Sequence, residues 1–344
     1  MNSFIRKYNI TFFCLYGKDF GYGHYSRIKS FVKKIKKKVN LVTFGDKIKD
    51  LEQNFNNYNH FKSISEFNIK KIDNKKNSLA ILDLSNYNFI SKNKINYFFK
   101  KINKSFNKII IIDSIFNESF YDKVNFKVDC LIIPYFVSKS YKKKFKNINF
   151  LTFPDIFFCN ENLLSGKKLK TKKIQNCLIS LGSTDSKKLN LELIKILGSS
   201  FFKNLNFTFI LGKFLSSNYK KELIKKIKDK KNIKLEEFNS KFFYFLKKTD
   251  LILSSSGITK YEALIIKKPN IRIYRNLNEQ MLDYEFSKRQ NIKSFNLLFE
   301  KLLFKNYFKK LVFNENFSKK ILDKNFKMLN NIKVKNINNI DVRI

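Results

Sequence analysis

Glycine is scarce in this chain, with nine residues in 344. Histidine occurs twice, arginine six times and cysteine four times. Each shortage excludes something. Cys14, Cys130, Cys159 and Cys177 are far apart, with no C-x-x-C pair and no histidine at metal-ligand spacing. They read as buried, reduced thiols of a cytosolic protein. No apolar run approaches the ~20 residues that cross a bilayer. The opening stretch has a basic start, but its apolar run is only about seven residues, ends in Gly17-Lys18-Asp19 and lacks a small-residue cleavage site. It reads as a first buried strand. No G-x-S-x-G elbow, P-loop or zincin motif is present, and no paired-carboxylate signature of a glycosidase stands out.

Acidic residues are the other shortage. Seventy basic side chains face 28 acidic ones, for a formal net charge of +42. Such a balance suits nucleic acid or an anionic membrane. Yet 64 of the basic residues are lysine, spread along the chain among abundant Asn, Ile and Phe, the mixture that AT-rich codons produce. Base-edge readers rely on the planar arginine fork, so nucleic acid is not expected as a partner. Loose peripheral attachment to an anionic membrane face is compatible with the charge, since exposed lysines add attraction to it.

What is present is a patterned, foldable chain, 43% hydrophobic and 16% aromatic, far too apolar for disorder. Short apolar runs alternate with longer amphipathic ones. Strands are expected at ITFFCLY (10–16), NLVTF (40–44), LAILDLS (79–85), KIIIIDSI (108–115) and DCLIIPYF (129–136), with helices at 26–37 and 92–105. Nearly uninterrupted Ile, Leu, Val and Phe suggest strands covered on both faces, as in a parallel sheet. Residues 159–173 lack a period and read as a linker. The alternation restarts with strands at 177–183, 207–213, 232–238, 250–257 and 270–275, separated by helices at 187–198, 218–229, 241–248 and 259–266. From 279 to about 330 the chain looks helical throughout. The expected class is α/β: two doubly wound domains, 1–158 and 174–330, with the terminal helices free to pack back on the first. In such sheets ligands sit beyond the carboxyl ends of the strands, and most of the rare glycines stand there.

Four constellations follow from that placement. Gly21-Tyr22-Gly23-His24-Tyr25-Ser26-Arg27 follows the first strand and opens a helix. Its glycines permit a tight turn and close backbone approach, and its free amides favour an anion. Ser26 at the third glycine position sets it apart from the dinucleotide fingerprint. His24 falls on the first helical turn, placed to act as a general base. Ser180-Leu181-Gly182-Ser183-Thr184-Asp185 is a second anion-friendly turn, or an ordinary loop with an Asp cap. In Ser254-Ser255-Ser256-Gly257-Ile258-Thr259-Lys260-Tyr261-Glu262, the amides of Gly257, Ile258 and Thr259 can hold a diphosphate and Glu262 can accept hydrogen bonds from ribose hydroxyls. Last come Arg272, Arg275, Asn276, Asn278, Glu279 and Gln280, with arginine forks for phosphate and polar groups for sugar hydroxyls.

GYGHYSR resembles the G-x-G-H-x-x-R turn of the UDP-sugar hydrolase of pseudaminic acid synthesis and its spore-coat-polysaccharide relatives. SLGSTD is similar to that family's S-x-G-G-S-D turn. SSSGITKYEALIIKKPNI resembles its G-G-S-T-x-x-E…G-x-P-x-I stretch, shared with the nucleotide-binding half of glycosyltransferase family 28, and NEQ matches the polar-x-Gln motif that follows. The likeness spans 10–37 and 174–290. It departs at Leu15, where the hydrolase usually has Asp, at Ser183 in place of a second glycine, and at Lys267 or Lys268 in place of the G-x-P glycine.

The resemblance implies a GT-B fold of two Rossmann-like domains facing a cleft, with the nucleotide in the second and the acceptor side in the first. It implies a catalytic role for His24. It implies a substrate-binding set of Gly21, Gly23, Arg27, Gly182, Ser183, Ser256, Gly257, Ile258, Thr259, Glu262, Asn278 and Gln280. The expected activity is cleavage of the anomeric C–O bond of a UDP-sugar with release of UDP, in surface-glycan or nonulosonate synthesis. The alternatives are a glycosyltransferase acting on a glycan or lipid-linked acceptor, and a non-catalytic nucleotide-sugar-binding protein. No metal and no other cofactor is expected, and the location expected is cytoplasmic or peripheral at the inner membrane face.

Overall fold

The computed structural model describes residues 7–35, 37–49, 51, 53–72, 77–84, 92–113, 127–138, 148–156, 158, 163 and 173–330. Two compact units divide the chain, one within Met1–Cys159 and the other within Asn160–Lys333.

In the first unit, apolar runs become parallel strands because both faces of the sheet are covered. β1 (Asn9–Tyr16) is buried at every residue but Asn9, and β4 (Ser78–Asp83) at every residue. With β2 (Val39–Gly45), β3 (Phe55–Phe61), β5 (Lys108–Ile112), β6 (Cys130–Ile133) and β7 (Asn149–Thr152) they form a seven-stranded sheet in the order β3-β2-β1-β4-β5-β6-β7. Every neighbouring pair is parallel. Helices α1 (Gly23–Ile35) and α2 (Lys92–Ser105) supply crossovers. Phe13 and Phe44 meet Phe98 edge-on, and Phe67 lies 4.9 Å from the same ring, so aromatic edges seal this core.

The second unit repeats the plan. β8 (Asn176–Ser180), β9 (Asn206–Leu211), β10 (Ile233–Glu237), β11 (Leu251–Ser254), β12 (Asn270–Tyr274) and β13 (Ser294–Asn296) form a parallel sheet in the order β10-β9-β8-β11-β12-β13. The helices are α3 (Leu189–Leu197), α4 (Ser217–Ile227), α5 (Phe242–Lys248), α6 (Thr259–Ile265), α7 (Leu277–Ser287), α8 (Lys301–Phe313) and α9 (Glu315–Asn330).

Both sheets have the doubly wound order in which the chain reverses direction at one point. That switch lies between β1 and β4 in the first unit and between β8 and β11 in the second. Loops diverge from such a point and leave a crevice at the carboxyl ends of the strands.

Three strands were not expected from the sequence: β3, β7 and β13. Each stands at a sheet edge. The stretch from 279 to 330 is correspondingly not helical throughout, because β13 interrupts it. The two last helices pack on the second unit's own core, where Phe304, Phe308, Leu311 and Leu322 are buried with Phe202 and Phe207. No helix of the described residues is long and apolar enough to cross a membrane. Of the cysteines, Cys14, Cys130 and Cys177 are buried and free, while Cys159 and most of the expected linker lie outside the described residues.

Candidate active site

The first turn is built by backbone geometry that only glycine adopts without strain. Gly21 has φ +81°, its N–H donates to the Gly17 carbonyl at 2.7 Å, and the two residues form an antiparallel bridge. The turn delivers Gly23 to the start of α1, so His24 and Arg27 fall one turn apart on the same helical side. Tyr16, Tyr22 and Tyr25 meet edge-on around them, with centroids 5.6 Å apart for Tyr16 and Tyr25.

His24 is 5% exposed and Arg27 4%. Both reach a residue that the motif analysis missed, Asp83, the fully buried last residue of β4. Asp83 sits across the switch point, paired in register with Cys14 of β1. His24 Nδ1 lies 2.7 Å from Asp83 Oδ1. Arg27 donates from Nε to Oδ2 and from Nη2 to Oδ1, both at 2.8 Å. Burial alone would raise the Asp83 pKa, but Arg27 and then His24 outweigh it, and the carboxyl is held below its ordinary value. Asp83 is therefore an anion, and it accepts a hydrogen bond from Nδ1–H. Arg27 Nη2 also stands 3.0 Å from Nδ1, but a protonated Nδ1 cannot accept from it, so both Arg27 protons go to the carboxylate. The imidazole is left with Nε2 as its acceptor nitrogen, the arrangement a general base needs.

Arg27, expected to contact substrate, thus has its fork engaged with Asp83. Leu15, where the resembling hydrolase has Asp, is a core residue of β1 at 1% exposure. The carboxylate beside the histidine comes from the neighbouring strand instead.

In the second unit, two turns meet at the switch point. Gly182 has φ +96°, and a Cβ there would stand 3.6 Å from Ser255 Oγ. The Ser255 N–H donates to the Ser180 carbonyl. Ser183 accepts at its carbonyl from Phe214 N–H at 2.9 Å. Asp185 caps α3, accepting from the N–H groups of Leu189 and Asn190 at 2.8 and 2.9 Å and from Tyr219 Oη at 2.6 Å. That fully occupied carboxylate is the ordinary cap foreseen as the alternative, and it is no candidate base.

After β11, Ser256 donates to the Glu279 carbonyl at 3.1 Å, tying this turn to α7. Gly257 is exposed, and Ile258 and Thr259 are half-buried. Their amides open α6 and have no partner inside it. Glu262, one turn on, is 8% exposed. Burial pushes its pKa up to about 7, against a hydrogen bond from Thr259 that lowers it.

Arg272, expected as a phosphate fork, is instead buried in the core at 1% exposure. It donates to Asp283 Oδ2 at 2.7 Å, Gln290 Oε1 at 2.8 Å and Ser287 Oγ at 3.0 Å. Lys260 holds the other oxygen of Asp283 at 2.7 Å, and Tyr274 donates to the same carboxylate. A buried charge has to be paired, and this network pairs it structurally. Arg275 is half-buried and bonds Glu279, with Nη1 3.4 Å from Thr184 Oγ1. Asn276 caps α7 by accepting from Glu279 N–H. Gln280 is exposed on that helix, and the Asn278 side chain lies outside the described residues.

The architecture has counterparts among solved structures. MurG of Acinetobacter baumannii matches with a TM-score of 0.57 at 12% identity, covering 95% of this chain and 96% of that one. UGT2 of Phytolacca americana, complexed with UDP-2fluoro-glucose and pterostilbene, matches at 0.58 and 11%, covering 95% of each. WaaG, a glycosyltransferase involved in lipopolysaccharide biosynthesis, matches at 0.54 and 12%, over 94% and 96%.

The fold is GT-B. Identities this low carry the fold alone. No protein-family model matches the chain. The uncharacterized protein MJ1062 of Methanocaldococcus jannaschii is 27% identical over 280 residues, 75% of this chain and 54% of that protein, so the chain spans about half the length of this curated relative. In this GT-B chain the two switch points carry, respectively, an imidazole oriented by a carboxylate and a small-residue turn followed by a buried glutamate.

The glutamate has a measurable signature. Its folded pKa of about 7 lies above the usual carboxylate value of 4.5. A raised carboxyl pKa contributes stability that is complete below the unfolded pKa and lost as pH rises through the folded one. Glu262→Gln is therefore expected to stabilise the unliganded protein at pH 8, by an amount on the order of 2–3 kcal/mol that vanishes near pH 4. Denaturant unfolding across that range reads it, and an unchanged midpoint at pH 8 defeats the assignment of a buried, uncompensated carboxylate.

Proposed function

We propose that the chain transfers a sugar from a UDP-sugar to a hydroxyl acceptor. The observation that carries the reading is the buried His24–Asp83 pair, a base with its tautomer fixed by an ionised carboxylate. His24 Nε2 takes the proton of an acceptor hydroxyl as its oxygen attacks the anomeric carbon. The C–O bond to UDP breaks, and UDP leaves as an anion. Asp83 supports the imidazolium that forms, with no proton passing to the carboxylate. The leaving diphosphate is assigned to the amides of Gly257, Ile258 and Thr259 and to the positive end of α6, the ribose to Glu262. Gly182, Ser183 and Gln280 are assigned to the rest of the donor, Gly21 and Gly23 to the acceptor side.

Ribose hydroxyls donating to Glu262 favour its ionised form. UDP affinity is thus expected to be about tenfold weaker at pH 6 than at pH 8, and Glu262→Gln flattens this slope. Calorimetric titration at the two pH values measures both, and a slope unaltered in the variant removes Glu262 from the nucleotide site.

Transfer is placed ahead of hydrolysis because the GT-B structures above include a named glycosyltransferase and one bound to a nucleotide sugar, while the hydrolase likeness rests on sequence motifs alone. The test is incubation with a panel of UDP-sugars, with and without glycan and lipid-linked acceptors, measuring free UDP. Release that requires an acceptor supports transfer. Release in water alone reinstates hydrolysis by the same base, and UDP binding without release leaves a nucleotide-sugar-binding protein.

A further inference from the structure

The second unit presents a surface that this reading does not use. It begins where the chain leaves β13. Phe299 is 84% exposed, Leu302 69% and Leu303 61%. Water-exposed positions need none of these large apolar side chains. On α8 the core side carries Phe304, Tyr307, Phe308, Leu311 and Val312. The opposite arc, about 160° wide at 3.6 residues per turn, carries Leu302, Leu303 and Phe313 together with Lys305, Lys309 and Lys310, all exposed. Phe313 lies about 16 Å along the axis from Leu302. It packs edge-on to Phe201, at 5.0 Å between centroids, and both rings are 43% exposed. Lys309 Nζ stands 4.3 Å from the centre of the Phe201 ring. Apolar groups thus mark both ends of the face, and lysines fill its length.

The charge is of one sign. Residues 301–313 contain four lysines and no acidic residue. Lys301 is already paired with Glu192, and the carboxylate of Glu300 accepts from Asn296 N–H. Glu315 is the exposed acid that follows.

We propose that Phe299 and the outer side of α8 dock the protein on a bilayer surface rich in anionic lipid. Phenylalanine and leucine enter the boundary between headgroups and acyl chains. Lysines extend their aliphatic stems along that boundary and hold lipid phosphates with their ammonium groups. A second copy of the chain fits poorly, because a twofold contact sets the same lysines against one another. Duplex nucleic acid fits poorly as well, since its phosphates leave the leucines in water and α8 has no arginine for base edges. The proposal goes beyond the transfer reaction, and its failure leaves that reading untouched.

The test is co-sedimentation of the full chain with vesicles of phosphatidylcholine alone and of phosphatidylcholine mixed equally with phosphatidylglycerol. Binding to the anionic vesicles is expected to be at least about tenfold tighter, and to weaken with salt. Phe299→Ser/Leu302→Ser/Leu303→Ser replaces exposed groups only, so the fold is retained, as a thermal melt checks. It is expected to lower anionic-vesicle binding by about tenfold or more. Lys305→Glu/Lys309→Glu/Lys310→Glu is expected to do the same. Lys225→Glu/Lys226→Glu/Lys228→Glu, which changes the same charge elsewhere on the unit, is expected to lower it less than about threefold. Equal loss in this control assigns the attraction to overall charge and overturns the proposal. So do absence of vesicle binding, a dimer in sedimentation that the serine variant dissolves, and tighter retention of duplex DNA than of vesicles.

Discussion

His24→Ala is expected to lower turnover by about 10²–10⁴-fold, the contribution of a positioned general base. UDP affinity is expected to stay nearly unchanged, because the groups assigned to the nucleotide lie in the other unit. The size of the effect follows from how completely the ring is committed. Its Nδ1 is fixed on Asp83 at 2.7 Å, and the ring is 5% exposed, so the protein sets where its other nitrogen stands. Alanine removes the acceptor nitrogen and leaves the Asp83–Arg27 ion pair, which remains hydrogen-bonded. The variant should therefore keep its fold, which separates loss of chemistry from loss of structure. Single-turnover UDP release measures the first, and calorimetry with UDP and a thermal melt measure the second. Near-normal turnover in a well-folded variant rejects His24 as the base. Asp185 cannot then take over, since its oxygens already cap α3 and hold Tyr219.

The sequence made some of this readable and hid the rest for physical reasons. The inner strands are legible because strands covered on both faces must be apolar at nearly every position. LAILD and KIIII are examples, buried along almost their whole length. The edge strand β3, FNNYNHF, is buried only at its two phenylalanines and half-exposed or exposed between them. Asparagines there satisfy the sheet with no apolar run to betray it. β7 and β13 are edges also, and short ones. His24 was legible because a rare residue stood in a turn of rare glycines. Asp83 was not sought, though it had a signal: an acid closing an apolar run, LAILD, at the carboxyl end of an inner strand, where a buried charge must have a partner. Arg272 misled in the opposite direction. Rarity pointed to phosphate, but its position inside the buried β12 committed it to Asp283 and the core. Rarity ranks candidates, and burial with its compulsory pairing decides what each one does.

Asp83→Asn is expected to cost about 3–5 kcal/mol of stability, because it removes the buried carboxylate that accepts two hydrogen bonds from Arg27 and one from His24. Arg27 is 4% exposed; burial lowers its pKa and Asp83 more than offsets that, and a guanidinium is basic enough to stay protonated when that carboxylate is neutralised. The pH dependence has a definite sign. The Asp83 carboxyl is held below its ordinary value, so its contribution is present above about pH 4, the unfolded pKa, and is lost as pH falls through the folded one. Wild type should lose this stability on acidification, and Asp83→Asn should lack that component. Turnover should fall too, since a neutral amide neither fixes the Nδ1–H tautomer of His24 nor supports an imidazolium. A second substitution separates the two roles. Adding Arg27→Gln removes the buried positive charge that Asp83 had balanced, so Arg27→Gln/Asp83→Asn should regain part of the lost stability while turnover stays low. Urea unfolding of the four members of this cycle gives the coupling between the two side chains directly. Additive losses would show that Arg27 and Asp83 do not depend on each other. Recovery of turnover along with stability would show that Asp83 serves the fold and not the base.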